Sequence, residues 1–294
     1  MNIAVMTDEV SSDLDTALEL IHMWGVDAVD LRNVGGHRYP DVGPYWKARV
    51  PQLLDEYGLH VSAISPGLFK IPYPGPHRAM YHTRSGDARQ YQLESDLEAV
   101  LDRHVNVLLP ASIEAAQALG TRIIICFGFD RQDEAPTPEG AVQVLRHAAQ
   151  KAHAAGLILT IESDDLSSRS ADLVRRVNHP GLGINWDPGN AFAAGDDLPY
   201  PDGYQCVREF VRHVHFKDAR PDPSGRPPIL DGLLNSTGKR PWALKDGVID
   251  WRGQMAALKQ DGYDGYVVVE PHFRPQVGAA LYTLERMRAL LAEA

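Results

Sequence analysis

The stretch Leu157-Ile-Leu-Thr-Ile-Glu162 is a short apolar run that ends in a carboxylate. Three later segments have the same form, and each ends in side chains able to bind a metal ion: Gly183-Ile-Asn-Trp-Asp187, His213-Val-His215-Phe-Lys217 and Tyr266-Val-Val-Val-Glu270. Side chains alternate between the two faces of a strand, so His213, His215 and Lys217 share one face. The pattern indicates four strands whose ends meet around one point.

The whole chain alternates short β-branched runs with longer amphipathic stretches, which is typical of an α/β protein with a parallel sheet. Strands are predicted at residues 2–6, 28–31, 59–64, 122–127, 157–163, 182–186, 213–216 and 266–269. Helices are predicted at residues 13–24, 45–57, 87–103, 109–119, 139–155, 171–177, 204–212, 250–260 and 276–292. No strand precedes a glycine-rich dinucleotide fingerprint, so the pattern favours a (β/α)8 TIM barrel over a doubly wound sheet.

The length of 294 residues suits one such barrel, and no linker divides the chain, so we predict a single TIM-barrel domain over residues 1–294. Two long segments, residues 66–84 and 219–248, each follow a strand. In a barrel both would form loops on the catalytic face, where long loops are typically lids or binding segments. We expect a serine to cap the first helix.

The composition excludes several classes of protein. The formal net charge of −10 opposes binding to a phosphate backbone. The sequence begins without a basic segment followed by an apolar run, and no run is long enough to span a bilayer. The two cysteines cannot form a disulfide framework. We therefore expect a cytoplasmic protein with no nucleic-acid or membrane partner.

The four strand ends would bring Glu162, Asp187, His215 and Glu270 together at the mouth of the barrel. Three carboxylates and one imidazole suit one divalent ion, Mn, Mg, Co or Zn, and leave room for substrate oxygens. A solvated acidic turn is the alternative for Glu162, and a simple turn is the alternative for the segment from Asp187 to Asn190. The four residues together, at the same end of neighbouring strands, favour a metal site.

The segments "TIES", "NWDPGNAF", "HVHFKDAR" and "VVVEPHF" resemble the xylose-isomerase-like TIM-barrel superfamily, the sugar phosphate isomerase/epimerase family. The resemblance spans nearly the whole chain and includes "AVDLRNV" and "AQALGT". Similar members include ketose 3-epimerases, hydroxypyruvate isomerases, inosose dehydratases and endonuclease IV repair enzymes. Many of the sugar epimerases have a histidine three residues after the aspartate that corresponds to Asp187, where this chain has Asn190.

The resemblance implies that Glu162, Asp187, His215 and Glu270 hold the metal, and that Glu162 and Glu270 also remove and return a proton. Lys217 is then expected to contact a substrate oxygen or stabilise an enediolate, unless it pairs with Asp218 or Glu162. Substrate contacts are predicted for five residues: Arg32, Asn190, His213, His272 and Arg274.

Two questions remain open near the start of the chain. Arg32 either points into the pocket or forms a surface ion pair. Asp8 and Glu9 either orient Arg32 or cap the first helix, and we favour the capping role.

The resulting hypothesis is a metal-dependent isomerase or epimerase of a sugar, sugar phosphate or polyol, working through a metal-stabilised enediolate. A dehydratase of the inosose dehydratase type, acting on a keto-polyol, would use the same metal and is the alternative. An endonuclease IV-like nuclease is opposed by the net charge and by Asn190 in a histidine position. A non-catalytic binding barrel is opposed by the intact ligand set. The expected partners are a small carbohydrate and further copies of the chain in a homodimer or homotetramer.

Overall fold

Eight parallel strands close into a barrel in a computed structural model of the chain. The structure describes residues 1–74, 97–129, 136–221, 229–230, 233–234, 239–241, 247–272 and 275–293, with the backbone alone at 229–230, 233–234 and 239–241. Strands β1 to β8 are Asn2–Met6, Ala28–Leu31, His60–Leu68, Ile123–Cys126, Ile158–Glu162, Leu182–Trp186, Val211–Phe216 and Tyr266–Val269. They follow one another around the barrel in chain order, and β8 pairs with β1. The predicted (β/α)8 TIM barrel is confirmed.

Helices alternate with the strands on the outside of the barrel. Helices α1 to α10 are Leu14–Met23, Pro44–Tyr57, Leu97–Arg103, Leu109–Ala118, Glu139–Ala154, Ser167–Val177, Pro188–Ala194, Tyr204–Val207, Trp251–Gln260 and Gln276–Glu293. Among the helices of the described ranges, none has the length and apolar character needed to cross a membrane.

The two faces of the strands have different environments. Outward-facing residues such as Val5, Val29 and Val267 are fully buried in one large core cluster between strands and helices. Inside the barrel, a small separate cluster consists of Ala4, Met6, Ala28 and Val268. This apolar cluster occupies one layer of the interior. The polar side chains further along the strands therefore lie above it, toward the C-terminal ends of the strands.

Several predicted boundaries are wrong by a few residues. Strand β3 continues to Leu68, four residues beyond the prediction, because the N–H of Phe127 donates to the Leu68 carbonyl and extends the pairing with β4. Helix α6 begins at Ser167 rather than residue 171, since Asp196 accepts from the Ser167 N–H and satisfies the first turn. Strand β7 begins at Val211, two residues before the predicted start at residue 213.

The predicted serine cap of α1 is also wrong. Asp13 is the N-cap, and its Oδ1 accepts from the Thr16 N–H at 2.9 Å. The two helices predicted at 87–103 and 109–119 are joined by a π-helical turn, His104–Leu108, and residues 87–96 lie outside the described residues. The segment after Asp187 is not a simple turn but the helix α7.

Three short two-stranded sheets lie in the segments that follow β2 and β7. Asn33–Val34 pairs with His37–Arg38 directly after β2. In the second long segment, Ala219–Pro221 pairs with Lys239–Pro241, and Ile229–Leu230 pairs with Leu233–Leu234.

Candidate active site

The C-terminal ends of four consecutive strands, β5 to β8, bring the predicted ligands close together. Glu162 ends β5, Asp187 follows β6, His215 lies near the end of β7, and Glu270 follows β8. One ligand atom from each lies within 4.8 Å of the others. All four side chains are buried, Glu162 being the most exposed at 6%. The structure therefore places together the four residues that the sequence singles out as ligands.

Neutral amides hold Glu162. The Nδ2 group of Asn185 donates to Glu162 Oε2 at 2.5 Å, and that of Asn190 donates to Oε1 at 2.9 Å. Asp187 is the N-cap of α7, and its Oδ1 accepts from the Asn190 N–H at 2.9 Å. The Asp187 N–H in turn donates to Ser163 Oγ at 2.6 Å. Both carboxylates consequently have fixed orientations, and Asp187 Oδ2 faces the other ligand atoms.

Lys217 and His215 lie beside Glu270. The Lys217 ammonium lies 2.7 Å from Glu270 Oε2 and 2.7 Å from Asp187 Oδ2, and it is fully buried. Nδ1 of His215 lies 3.0 Å from the same Glu270 oxygen and 3.5 Å from Glu162 Oε2. Lys217 also donates to Asn190 Oδ1 at 3.2 Å. The alternative pairing of Lys217 with Asp218 is wrong, because the Asp218 carboxylate pairs with Arg286 at 2.9 Å.

The donor set fits a divalent metal ion. Asp187 Oδ2, His215 Nδ1 and Glu270 Oε2 are buried and make no hydrogen bond with the described residues, although charged groups lie within 3.0 Å of each. Buried polar atoms almost always have hydrogen-bond partners. Three such atoms converging with Glu162 are what a site for a metal with oxygen and nitrogen ligands requires.

The surroundings of the site shift the pKa values of its carboxyl groups in different directions. Burial would raise the pKa of Glu270, but Lys217, His272 and His215 outweigh it and hold that pKa well below its usual range. Burial likewise opposes the lowered pKa of Glu162, which is set chiefly by His215. For Asp187, burial prevails over the attraction of Lys217 and raises the pKa to about 6.

Arg32 lies at the rim of the site and joins it to the turn Thr7–Glu9 that follows β1. Its guanidinium donates to Asp8 at 3.0 Å, to Glu9 at 2.5 Å, and to Glu270 Oε1. The expected capping role of Asp8 and Glu9 is wrong, because both orient Arg32, as the second interpretation predicts. With three carboxylate partners, Arg32 is part of the site rather than a surface ion pair.

His272 is held in an unusual backbone conformation beside Arg32. Its φ is +50°, a region that residues with a Cβ rarely occupy. Glu9 Oε2 accepts from the His272 N–H at 3.0 Å, and Nε2 of the ring lies 3.1 Å from both Glu9 Oε1 and Glu270 Oε1. Such strain is common at functional sites. Arg274, the remaining predicted substrate contact, lies outside the described residues.

A second buried polar layer lies below the four ligands. His213, predicted to contact substrate, is 1% exposed, and its Nε2 lies 2.8 Å from Asp30 Oδ2. The structure thus favours a supporting role for His213.

Sequence reasoning missed Asp30 and also Asn185, although each carries a signal. Asp30 is the sole ionisable residue in the strand Ala-Val-Asp-Leu, and the side chain of Asn185 lies on the same face of its strand as that of Asp187.

Comparison with known proteins relates this site to a family. A family model described as xylose isomerase-like TIM barrel matches residues 18–290. An inosose dehydratase from Lacticaseibacillus casei is 29% identical over 100 residues, 32% of each chain. The L-ribulose-5-phosphate 3-epimerase UlaE from Salmonella paratyphi C (strain RKS4594) is 25% identical over 190 residues, 62% of this chain and 61% of UlaE. The matches thus cover about a third and three fifths of these curated relatives.

Solved structures share the fold over the full length. A xylose isomerase-like TIM barrel protein from Mycobacterium smegmatis in complex with magnesium superposes with a TM-score of 0.69. The superposition covers 99% of this chain and 96% of that chain, at 17% sequence identity.

Proposed function

Because the chain belongs to the xylose isomerase-like TIM barrel family, we propose that it is a divalent-metal-dependent isomerase or epimerase of a small sugar, sugar phosphate or polyol. One observation carries the proposal. Glu162, Asp187, His215 and Glu270 present four ligand atoms within 4.8 Å, three of them buried without a hydrogen bond. The relatives, an epimerase and a dehydratase of sugar-like compounds, are consistent with this chemistry.

The metal ion and the carboxylates would have separate roles in the reaction. An ion held by Glu162, Asp187, His215 and Glu270 would supply Lewis-acid chemistry, which stabilises negative charge developing on substrate oxygens. Glu162, which accepts hydrogen bonds from the side-chain amides of Asn185 and Asn190, is our choice for the base that removes the carbon-bound proton. Glu270 lies across the site and is our choice for the group that returns a proton to the opposite face; because its resting form is the carboxylate, it would take that proton from water before each turnover.

Other residues would bind and orient the substrate. Lys217 reaches the centre of the site with its buried ammonium, where it can donate to a substrate oxygen on which charge develops. Arg32 and His272 both contact Glu270 Oε1 at the rim and would contact a hydroxyl or carbonyl at the far end of the substrate. Asn190 contacts both Glu162 and Lys217, and so links the two.

A dehydratase is the second candidate. Loss of a β-hydroxyl from the same enediolate replaces reprotonation, so an identical set of ligands and the same base would serve. The similarity to an inosose dehydratase over 100 residues favours including keto-polyols among the substrates that are tested.

The test is proton exchange. Protein loaded with Mn²⁺ is incubated in D₂O with a panel of ketoses, ketose phosphates and inososes, and NMR follows deuterium incorporation and new products. We expect a substrate to gain deuterium at the carbon that loses its proton, or to lose water in the dehydratase case. Glu162→Gln should slow exchange by about 100-fold or more.

The matched control is Glu114→Gln, the same chemical change on the exposed surface of α4. It should leave exchange unchanged. Full turnover by the wild-type protein in excess EDTA after dialysis would contradict the proposed metal dependence.

A further inference from the structure

A fully buried carboxylate supports the candidate metal site from below. Asp30, on β2, is completely inaccessible, and its Oδ2 lies 2.8 Å from His213 Nε2 and 3.4 Å from His215 Nε2. Ser62, on β3, donates its hydroxyl to the other oxygen, Oδ1. Thus one carboxylate receives hydrogen bonds from two imidazoles and one hydroxyl.

The position of Asp30 decides which nitrogen of His215 is available. A carboxylate beside Nε2 keeps the proton on that nitrogen, which leaves the lone pair of Nδ1 for a metal ion. Nδ1 is the atom that points toward Glu162 and Glu270, and it has no hydrogen bond to the described residues. The ring is therefore held at one nitrogen and open at the other.

His213 and Ser62 fix Asp30 in turn. An ionised carboxylate without partners is costly inside a protein, so its neighbours determine where it can lie. His213 is itself 1% exposed and is not one of the four residues whose ligand atoms converge at the candidate metal site. Its ring meets that of His215 edge to face, with centroids 5.7 Å apart. The arrangement leaves Oδ2 little freedom to move away from His215.

We propose that Asp30 is a positioning residue that orients His215 for the metal, and that His213 and Ser62 hold Asp30 in place for this task. The inference rests on the proposed function, because Asp30 acts only through a ligand of the proposed metal, and His213 and Ser62 act through Asp30.

Metal affinity tests this role. Mn²⁺ binding is measured by calorimetry for the wild-type protein, Asp30→Asn and the control Asp218→Asn. Asp218 is also completely buried, but it binds the backbone N–H of Ala219 and Ile249 and the Arg286 side chain instead of a site residue. We expect Asp30→Asn to bind Mn²⁺ about 10- to 100-fold more weakly, and Asp218→Asn to bind it like the wild type.

A second readout separates positioning from general destabilisation. Wild-type protein should show a slowly exchanging, downfield ring N–H proton signal in NMR, assigned to His215 by its loss in His215→Asn, and Asp30→Asn should lose or shift it. If Asp30→Asn does not fold, Ser62→Ala replaces it, with an expected loss of about fivefold in Mn²⁺ affinity, equivalent to one hydrogen bond.

The outcomes are distinguishable. Equal Mn²⁺ binding by the wild-type protein and the Asp30 or Ser62 variant, or an unchanged ring N–H signal, would overturn the positioning role alone. Absence of Mn²⁺ binding by the wild-type protein would overturn the proposed function and this inference together.

Discussion

At the scale of single residues, the two oxygens of Glu270 have different partners. Oε1 contacts Arg32 and His272 at the rim, whereas Oε2 contacts Lys217 and His215 in the centre. Because Arg32 and His272 hold Oε1 at the rim, Oε2 has a defined direction into the site. Glu162 accepts from two neutral amides and lies farther from His215, at 3.5 Å, so the two carboxylates proposed for proton transfer differ in their electrostatic surroundings.

Lys217 offers a test of these charges. Replacing it with Met leaves Asp187 and Glu270 buried beside each other without their ammonium. Because removing one partner of a buried ion pair leaves an uncompensated charge, the free energy of unfolding in EDTA should fall by about 3 kcal/mol. Added Mn²⁺ should recover much of this loss, since a cation again faces both carboxylates. Urea unfolding with and without Mn²⁺ measures both effects.

The control for this variant is Lys151→Met on the exposed surface of α5. Its free energy of unfolding should stay within about 0.5 kcal/mol of the wild type. If Lys217→Met were as stable as the control in EDTA, the ion pairs at 2.7 Å would not have the assigned role.

At the scale of elements, the ends of β3 and β4 lead into two strained aromatic residues. Phe69 has a φ of +60° and Phe129 a φ of +68°, and their rings pack with centroids 5.3 Å apart. The N–H of Phe69 donates to Nδ1 of His104, a buried residue in the π-helical turn between α3 and α4. A ring nitrogen that accepts a hydrogen bond is unprotonated, so this contact requires neutral His104.

The contact predicts a pH dependence of stability. Burial, assisted by Arg103, lowers the pKa of His104 to about 4, below its unfolded value of 6.5. The unfolded chain therefore binds the proton first, and the stabilisation is complete above the unfolded pKa and disappears as the pH falls to the folded pKa. Between pH 7.5 and pH 5 the loss from this group should be about 2 kcal/mol.

The measurement is urea unfolding at both pH values for the wild type and His104→Asn. Asn can accept from the Phe69 N–H but does not titrate. The wild type should lose about 2 kcal/mol more than the variant, because all other titrating groups are shared and cancel. Parallel losses in the two proteins would show that His104 is protonated in the folded state.

The sequence predicts the elements better than it predicts their ends. Apolar β-branched runs located all eight strands, because burial on both faces leaves a strong signal. Strand β3 was underestimated because Pro66 and Gly67 are typical of loops, although pairing with β4 continues to Leu68. Helix α7 was missed because Asp-Pro-Gly-Asn is also typical of turns, whereas here Asp187 caps a helix with Pro188 in its first turn.

At the scale of the whole molecule, closure of the barrel assembles the site. Strand parity and the shared end of parallel strands predicted the meeting of Glu162, Asp187, His215 and Glu270 on four neighbouring strands. The contact between Asp30 and His213 was not predictable in this way. These residues are 183 positions apart, on β2 and β7, which do not pair with each other. Such contacts across the interior depend on the stagger of the strands, which alternation does not define.

The most direct test of the central claim, that these four side chains hold one metal ion, is the metal content of the purified protein. Elemental mass spectrometry is applied to the wild type and to the double variant Glu162→Gln/Glu270→Gln, each after reconstitution with Mn, Mg, Co or Zn and removal of free ion. We expect close to one equivalent in the wild type and its loss in the folded double variant. Absence of metal from the wild type under every loading, or equal metal in both proteins, would contradict the claim.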